Sequence, residues 1–162
     1  MELTNLQKQA VSMGIVVDTD HLHQVSEPIG EIEDTELFKL IDKMERTLIA
    51  TRGVGLAAIQ IGIPKQIFVM LDPNGGIETV INPEIKKAYW QKVYITEGCL
   101  SLPDEKQFAV GRPKKLTVGY MSIRNGKPKE VERTFEEFYA TVFAHEFSHL
   151  RGKTYIDKEQ PV

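Results

Sequence analysis

TFEEFYATVFAHEFSHLRG, residues 134–152, reads as one helix that carries the chemistry of the chain. Thr134 with Glu137 forms a Thr-x-x-Glu capping pattern, and no proline interrupts the run before Gly152 offers a stop. His145 and His149, four residues apart, share one helix face, so both imidazoles can reach one metal ion with Glu146 beside them. This HExxH spacing points to metal-assisted hydrolysis. A lone buried histidine is more often a hydrogen-bonded core residue. Here, however, two of only four histidines in the chain flank a carboxylate at ligand spacing.

At 162 residues, with 41% hydrophobic and 27% charged residues, the chain suits a single soluble domain, 1–162, in which residues 1–13 form an N-terminal extension. A formal net charge of -3 and the lack of a long basic run argue against nucleic acid as a partner. No apolar stretch approaches the ~20 residues of a membrane span, and no signal peptide is evident, so a cytoplasmic protein is expected. With Cys99 as the only cysteine, no intramolecular disulfide can form.

Residues 1–13 form a short amphipathic helix through Leu3, Leu6 and Ala10, stopped by Gly14. Residues 16–28 read as extended chain and turns. Leu37, Leu40, Ile41, Met44 and Leu48 repeat at helical spacing and predict a scaffold helix from Asp34 or Thr35 to Thr51. Gly53 and Gly55 bare the backbone around Val54, as in a tight turn, and Ala57 to Gln60 can begin a helical turn ended by Gly62. Strands are expected at 66–71, 78–82, 84–94, 116–123 and 130–134, with Asn125-Gly126 as a hairpin turn. Strands in a run between helices favour an α+β fold, mostly antiparallel sheets packed around a central C-terminal helix that carries HExxH.

A hydrolytic metal site needs three protein ligands and an open position. Only 13 residues follow His149, none of them histidine, and the last position of the longer HExxHxxGxxH pattern is Tyr155. Asp157 or Glu159 would have to fold sharply back. Upstream, Cys99 lies in ITEGCLSLP, and its thiolate suits zinc or ferrous iron, so Cys99 is the third candidate ligand.

Three stretches, Gly53-Val54-Gly55-Leu56-Ala57-Ala58-Ile59-Gln60, Glu97-Gly98-Cys99-Leu100-Ser101 and His145-Glu146-Phe147-Ser148-His149, occur in the order and spacing of the peptide deformylase family, which the chain resembles from about Val16 to Ile156. The resemblance implies removal of the formyl group from N-terminal formylmethionine of nascent polypeptides. It implies Cys99, His145 and His149 as ligands to one divalent metal ion, ferrous iron first, with zinc, nickel or cobalt accepted. Glu146 would be general base and then acid, while the Gln60 amide and Leu100 N–H would hold the formyl oxygen. Val54, Gly55 and Gly98 would line an extended N-formylmethionyl peptide. By helix geometry Phe138, Thr141 and Val142 share the face of His145, and with Ile95 they would wall the methionine pocket.

Ser148 stands where the family usually has Asp, which would pair with a cation such as Arg112; serine supplies only a neutral hydrogen bond. Lys153 to Val162 is too short for the C-terminal helix linked to ribosome docking in longer bacterial members, so only transient ribosome contact is expected, in a bacterial or phage-infected cell or an organelle. Two other readings are an HExxH metallopeptidase, which needs a downstream ligand, and a deformylase-like binding protein that has lost activity.

Overall fold

The computed structural model describes residues 2–31 and 34–162; Met1, at the head of the expected 1–13 segment, lies outside them. Helix α1 (Asn5–Ser12) starts at Thr4, whose hydroxyl accepts from the Gln7 N–H while the Gln7 side chain accepts from the Thr4 N–H. Gly14, at φ +81°, turns the chain away as expected. A short helix α2 (Thr19–Leu22) and the long α3 (Asp34–Thr51) follow. The strands are β1 (Gly55–Ala57), β2 (Ile67–Leu71), β3 (Ile77–Ala88), β4 (Lys92–Glu97), β5 (Phe108–Pro113), β6 (Lys115–Arg124) and β7 (Lys127–Glu136), and helix α4 (Glu137–Leu150) comes after them.

Five strands form one sheet in the order β1-β2-β3-β6-β7, and β4 pairs β5 in a second; every pairing within the sheets is antiparallel. The fold is therefore α+β with antiparallel sheets. Strand β2 reads IFVML because both its faces are covered, so neither needs polar residues. Ile67 and Val69 pack with Leu37, Ile41, Met44 and Leu48 of α3, whereas Phe68 and Met70 pack with Ala140, Phe143 and Phe147 of α4. The Phe143 ring meets Phe68 edge-on at 5.1 Å and stacks on Phe135 at 5.5 Å. Helix α4 thus touches strands of both sheets and can present residues between them.

Five local expectations change. The motif helix begins at Glu137, not Thr134: Phe135 is buried in the sheet, opposite Leu116, and Thr134 bonds Thr117 across the ladder at 2.9 Å. Sheet pairing overrides the capping pattern. The strands expected at 78–82 and 84–94 are divided elsewhere, since β3 runs through Pro83 to Ala88 and β4 begins at Lys92. Pro83 lies in an irregularity between Ile81 and Glu84, where no ladder N–H is required of it, and Asn82 (φ +48°) bonds both the N–H and C=O of Ile29. Residues 19–22 form α2 within a stretch expected to be extended, with Asp18 as its N-cap. Finally, β1 replaces the turn read from Gly53 and Gly55, and β5 had no counterpart among the expected strands.

The end of α4 is as the sequence indicates. Gly152 adopts φ +67°, its N–H donates to His149 O, and the Lys153 N–H donates to Ser148 O, a Schellman closure.

Candidate active site

Beyond the end of β4 the chain turns through Gly98 to Cys99, which faces the two histidines of α4. Ligand atoms of Cys99, His145 and His149 all lie within 4.8 Å of one another. Cys99 Sγ is 3.4 Å from His149 Nε2, and the two imidazole rings are 5.0 Å apart, centre to centre. Among the described residues this is the one group of three or more such donors. Asp157, weighed as a downstream ligand, instead accepts from the Thr154 N–H at 2.7 Å and pairs with His23. Tyr155 stacks against the His145 ring at 6.1 Å and donates its hydroxyl to Lys106 O.

Glu97 is buried and works in two directions. Its carboxylate accepts from Arg112 Nε at 2.8 Å and Nη2 at 3.0 Å, and Oε2 also lies 2.8 Å from His145 Nδ1. That hydrogen bond puts the proton on Nδ1 and frees Nε2 for a cation. Burial alone would raise the Glu97 carboxyl, but the His145 and Arg112 hydrogen bonds and the Arg112 charge outweigh it and hold it below its ordinary value. Arg112 is fully buried, and its remaining donor Nη1 reaches Ser148 Oγ at 3.1 Å and Gln160 Oε1 at 3.0 Å.

The two imidazoles differ in their surroundings. Burial pushes the His145 imidazole down, yet hydrogen bonds to Cys99 and Glu97 and the Glu146 charge carry it up to about 10. A cation bound there would have to displace that proton, because an imidazole ligates only through a deprotonated nitrogen. His149 is pushed far down by burial and by the charges of His145 and Arg112, so it is neutral and able to ligate. One thiolate and two imidazoles suit zinc, ferrous iron, nickel or cobalt, and the residues present fit such an ion.

Glu146 is buried, and its Oε2 has no hydrogen-bond partner among the described residues. Burial pushes its carboxyl up to about 7, with the His145 charge opposing. A buried carboxylate oxygen without a partner is costly unless something from outside completes it, and a pKa near neutrality suits proton exchange at working pH. Gly55 is required here, since a Cβ at that position would collide with the Glu146 carboxylate.

Gln60, in the 3-10 turn Ala58–Ile61, accepts from the Ala57 N–H at 2.9 Å through Oε1. This contact turns Nε2 toward the donor cluster, 3.4 Å from Cys99 Sγ and 3.3 Å from Ser101 Oγ. One cavity of about 580 Å³ brings together Val54, Gly55, Gln60, Ile95, Gly98, Cys99 and Leu100 on one side with Phe138, Thr141, Val142, His145 and Glu146 on the other. His149 lies beneath, fully buried. Val54 is partly exposed, with its carbonyl taken by the Leu71 N–H, and β1 is an edge strand with one side unpaired. The Thr141 hydroxyl is buried without a partner among the described residues.

Sequence reasoning gave Glu97 no role, although it lies two residues before Cys99 and so on the same side of an extended chain. Gln160 carried no local signal at all. The sequence suggests Arg112 only as a partner for a residue at 148; its larger role is to clamp Glu97.

The family model for polypeptide deformylase matches residues 14–162. A peptide deformylase of Bartonella tribocorum is 43% identical over 84% of this chain and 77% of its own, and one of Thermotoga petrophila is 40% identical over 86% and 82%. Among solved structures, a probable peptide deformylase from Synechococcus phage S-SSM7 superposes with a TM-score of 0.80 at 32% identity, covering 90% of this chain and 98% of the other. A class I type b peptide deformylase from Acinetobacter baumannii bound to Met-Ala-Ser gives a TM-score of 0.81 at 28% identity over 90% and 96%. On the match to nearly the whole chain, together with these relatives, the chain belongs to the polypeptide deformylase family.

Proposed function

We propose that the chain acts as one catalytic unit, with the motif helix at its centre, and hydrolyses the N-formyl group of formylmethionyl peptides to release formate and a free amino terminus. One observation carries the reading: the buried Glu146, whose Oε2 has no partner among the described residues, lines the cavity beside three donors able to share a cation.

Cys99, His145 and His149 would hold one divalent ion, ferrous iron before zinc, nickel or cobalt. When bound, the ion supplies a Lewis acid that polarises the formyl oxygen and brings the pKa of a water toward ~7. Glu146 accepts the proton of the attacking water as the new C–O bond forms. Gln60 Nε2 and the Leu100 N–H donate to the formyl oxygen as negative charge gathers there; losing one such donor typically costs about 2.7 to 4 kcal/mol. Glu146 then returns the proton to the amide nitrogen as the C–N bond breaks, leaving the amine and formate. Val54, Gly55 and Gly98 would line the extended peptide, and Ile95, Phe138, Thr141 and Val142 would surround the methionine side chain. No helix among the described residues is long and apolar enough to cross a membrane, and the cytoplasm of a bacterial or phage-infected cell is the proposed setting, with transient contact to the ribosome.

Anaerobically purified, iron-loaded protein should release free amine from formyl-Met-Ala-Ser, and Glu146→Ala should retain metal but lose turnover. An active Glu146→Ala enzyme would defeat the assignment. Peptide-bond cleavage in place of formate release would support the metallopeptidase reading.

A further inference from the structure

Helix α1 lies outside the residues that the family model matches, yet it forms one wall of the cavity. Leu6, Gln9, Ala10 and Met13 line it, at the i, i+3, i+4, i+7 spacing of a single helix face. Ala10 is buried among Leu37, Ile41 and Leu48, whereas Leu6 and Met13 remain 50% and 38% exposed. The helix is tied down at both ends. Thr4 Oγ1 donates to Asp104 at 2.8 Å, in the segment that follows Cys99, and beyond Gly14 the Val16 N–H donates to Gln60 O at 2.8 Å. A helix fixed to both sides of the catalytic cluster is a wall, not a swinging cover.

We infer that α1 is a substrate-binding surface, on which Leu6 and Met13 receive apolar side chains of the peptide just after its formylmethionine. The inference rests on the deformylase reading. In that reading Phe138, Thr141 and Val142 take the first side chain, so the rest of the peptide extends along the remaining walls of the cavity. Among those walls are α1, Arg52, Gly53 and Pro103. Leu6 and Met13 keep apolar surface in water there, and covering it with a second apolar side chain removes both surfaces from solvent. Gly or charged residues at those peptide positions would gain nothing from this wall.

The test compares formyl-Met-Leu-Leu with formyl-Met-Gly-Gly as substrates of the metal-loaded full chain, and Met-Leu-Leu with Met-Gly-Gly as ligands in calorimetry. Wild type should prefer the leucyl peptide in both measurements. Leu6→Ala and Met13→Ala should each shrink that preference by about three- to tenfold, as expected for lost apolar burial. Leu6→Met should keep it, and Lys8→Ala, on the exposed face, should leave it unchanged. Thermal melts of each variant separate a lost wall from a lost fold. An unchanged preference in folded Leu6→Ala and Met13→Ala would overturn the inference, as would equal acceleration of both substrates, the mark of a cover that must lift. If neither peptide is deformylated but the calorimetric preference still falls in the variants, the activity reading fails while the binding surface stands.

Discussion

Glu97 Oε2 lies 2.8 Å from His145 Nδ1 while the same carboxylate clamps the fully buried Arg112, so a candidate metal ligand is oriented by an ion pair rather than by its own helix. The consequence is measurable. Glu97→Gln keeps the shape of the side chain but removes its charge, leaving His145 less firmly oriented and Arg112 uncompensated. Metal affinity should fall by about 10- to 100-fold, read by competition with a chelator. The melting temperature should fall as well, because an unpaired buried charge is strongly destabilising.

Ser148 meets Arg112 Nη1 at 3.1 Å and also back-bonds to Ala144 O at 2.7 Å, and Gln160 supplies Arg112 with a further oxygen at 3.0 Å. Arg112 is therefore satisfied without a carboxylate at position 148. Ser148→Asp should leave the deformylation rate within about threefold, since no group that touches substrate changes. A large gain would show that serine impairs the site. Gln160→Ala should be the more harmful change, costing about 1 to 3 kcal/mol by chemical denaturation, because it strips an acceptor from a buried guanidinium.

Thr141 brings a buried hydroxyl, without a partner among the described residues, to an otherwise apolar wall beside Val142 and Phe138. Thr141→Val removes it at nearly constant volume. The ratio of kcat/KM for formyl-methionyl over formyl-alanyl peptides should rise about three- to tenfold, on the scale of apolar discrimination in a pocket. An unchanged ratio would place the methionine side chain elsewhere.

Asp72 and Arg133 tie the β2–β3 turn to β7 through two hydrogen bonds, at 2.6 and 3.2 Å. The Arg133 hydrogen bond, against the opposing effect of burial, lowers the Asp72 carboxyl from 3.8 to about 2. The folded protein thus binds this proton less readily than the unfolded chain. The resulting stability is fully present above pH ~4 and disappears as the pH falls toward ~2. Asp72→Asn should therefore lower the urea midpoint at pH 7, and the gap to wild type should narrow as the pH drops below 4.

Elements whose burial pattern repeats locally were legible: α3 from its apolar stripe, β2 from its continuous apolar run, and the β6–β7 hairpin from Asn125-Gly126, both residues with positive φ. The joins were harder to read. Thr134 and Glu137 mimic a helix cap, but the pairing of Phe135 with Leu116 is a non-local interaction that no window around Thr134 contains. Pro83 looks like a strand break because its tolerance depends on Asn82 borrowing hydrogen bonds from Ile29, 53 residues away. At the site, the histidine pair is a helical-spacing signal and the cysteine stood out by elimination. Glu97 acquires its role only when β4 and α4 meet, and the place of α1 over the cavity depends on a contact between Thr4 and Asp104, 100 positions apart.

The central claim is that one cation is held by the sulfur of Cys99 and the imidazoles of His145 and His149. X-ray absorption on the zinc-loaded protein tests it most directly. The account predicts one sulfur at about 2.3 Å and two nitrogens at about 2.0 to 2.1 Å, with the sulfur shell lost in Cys99→Ser. A wild-type spectrum fitted by nitrogen and oxygen alone would contradict it.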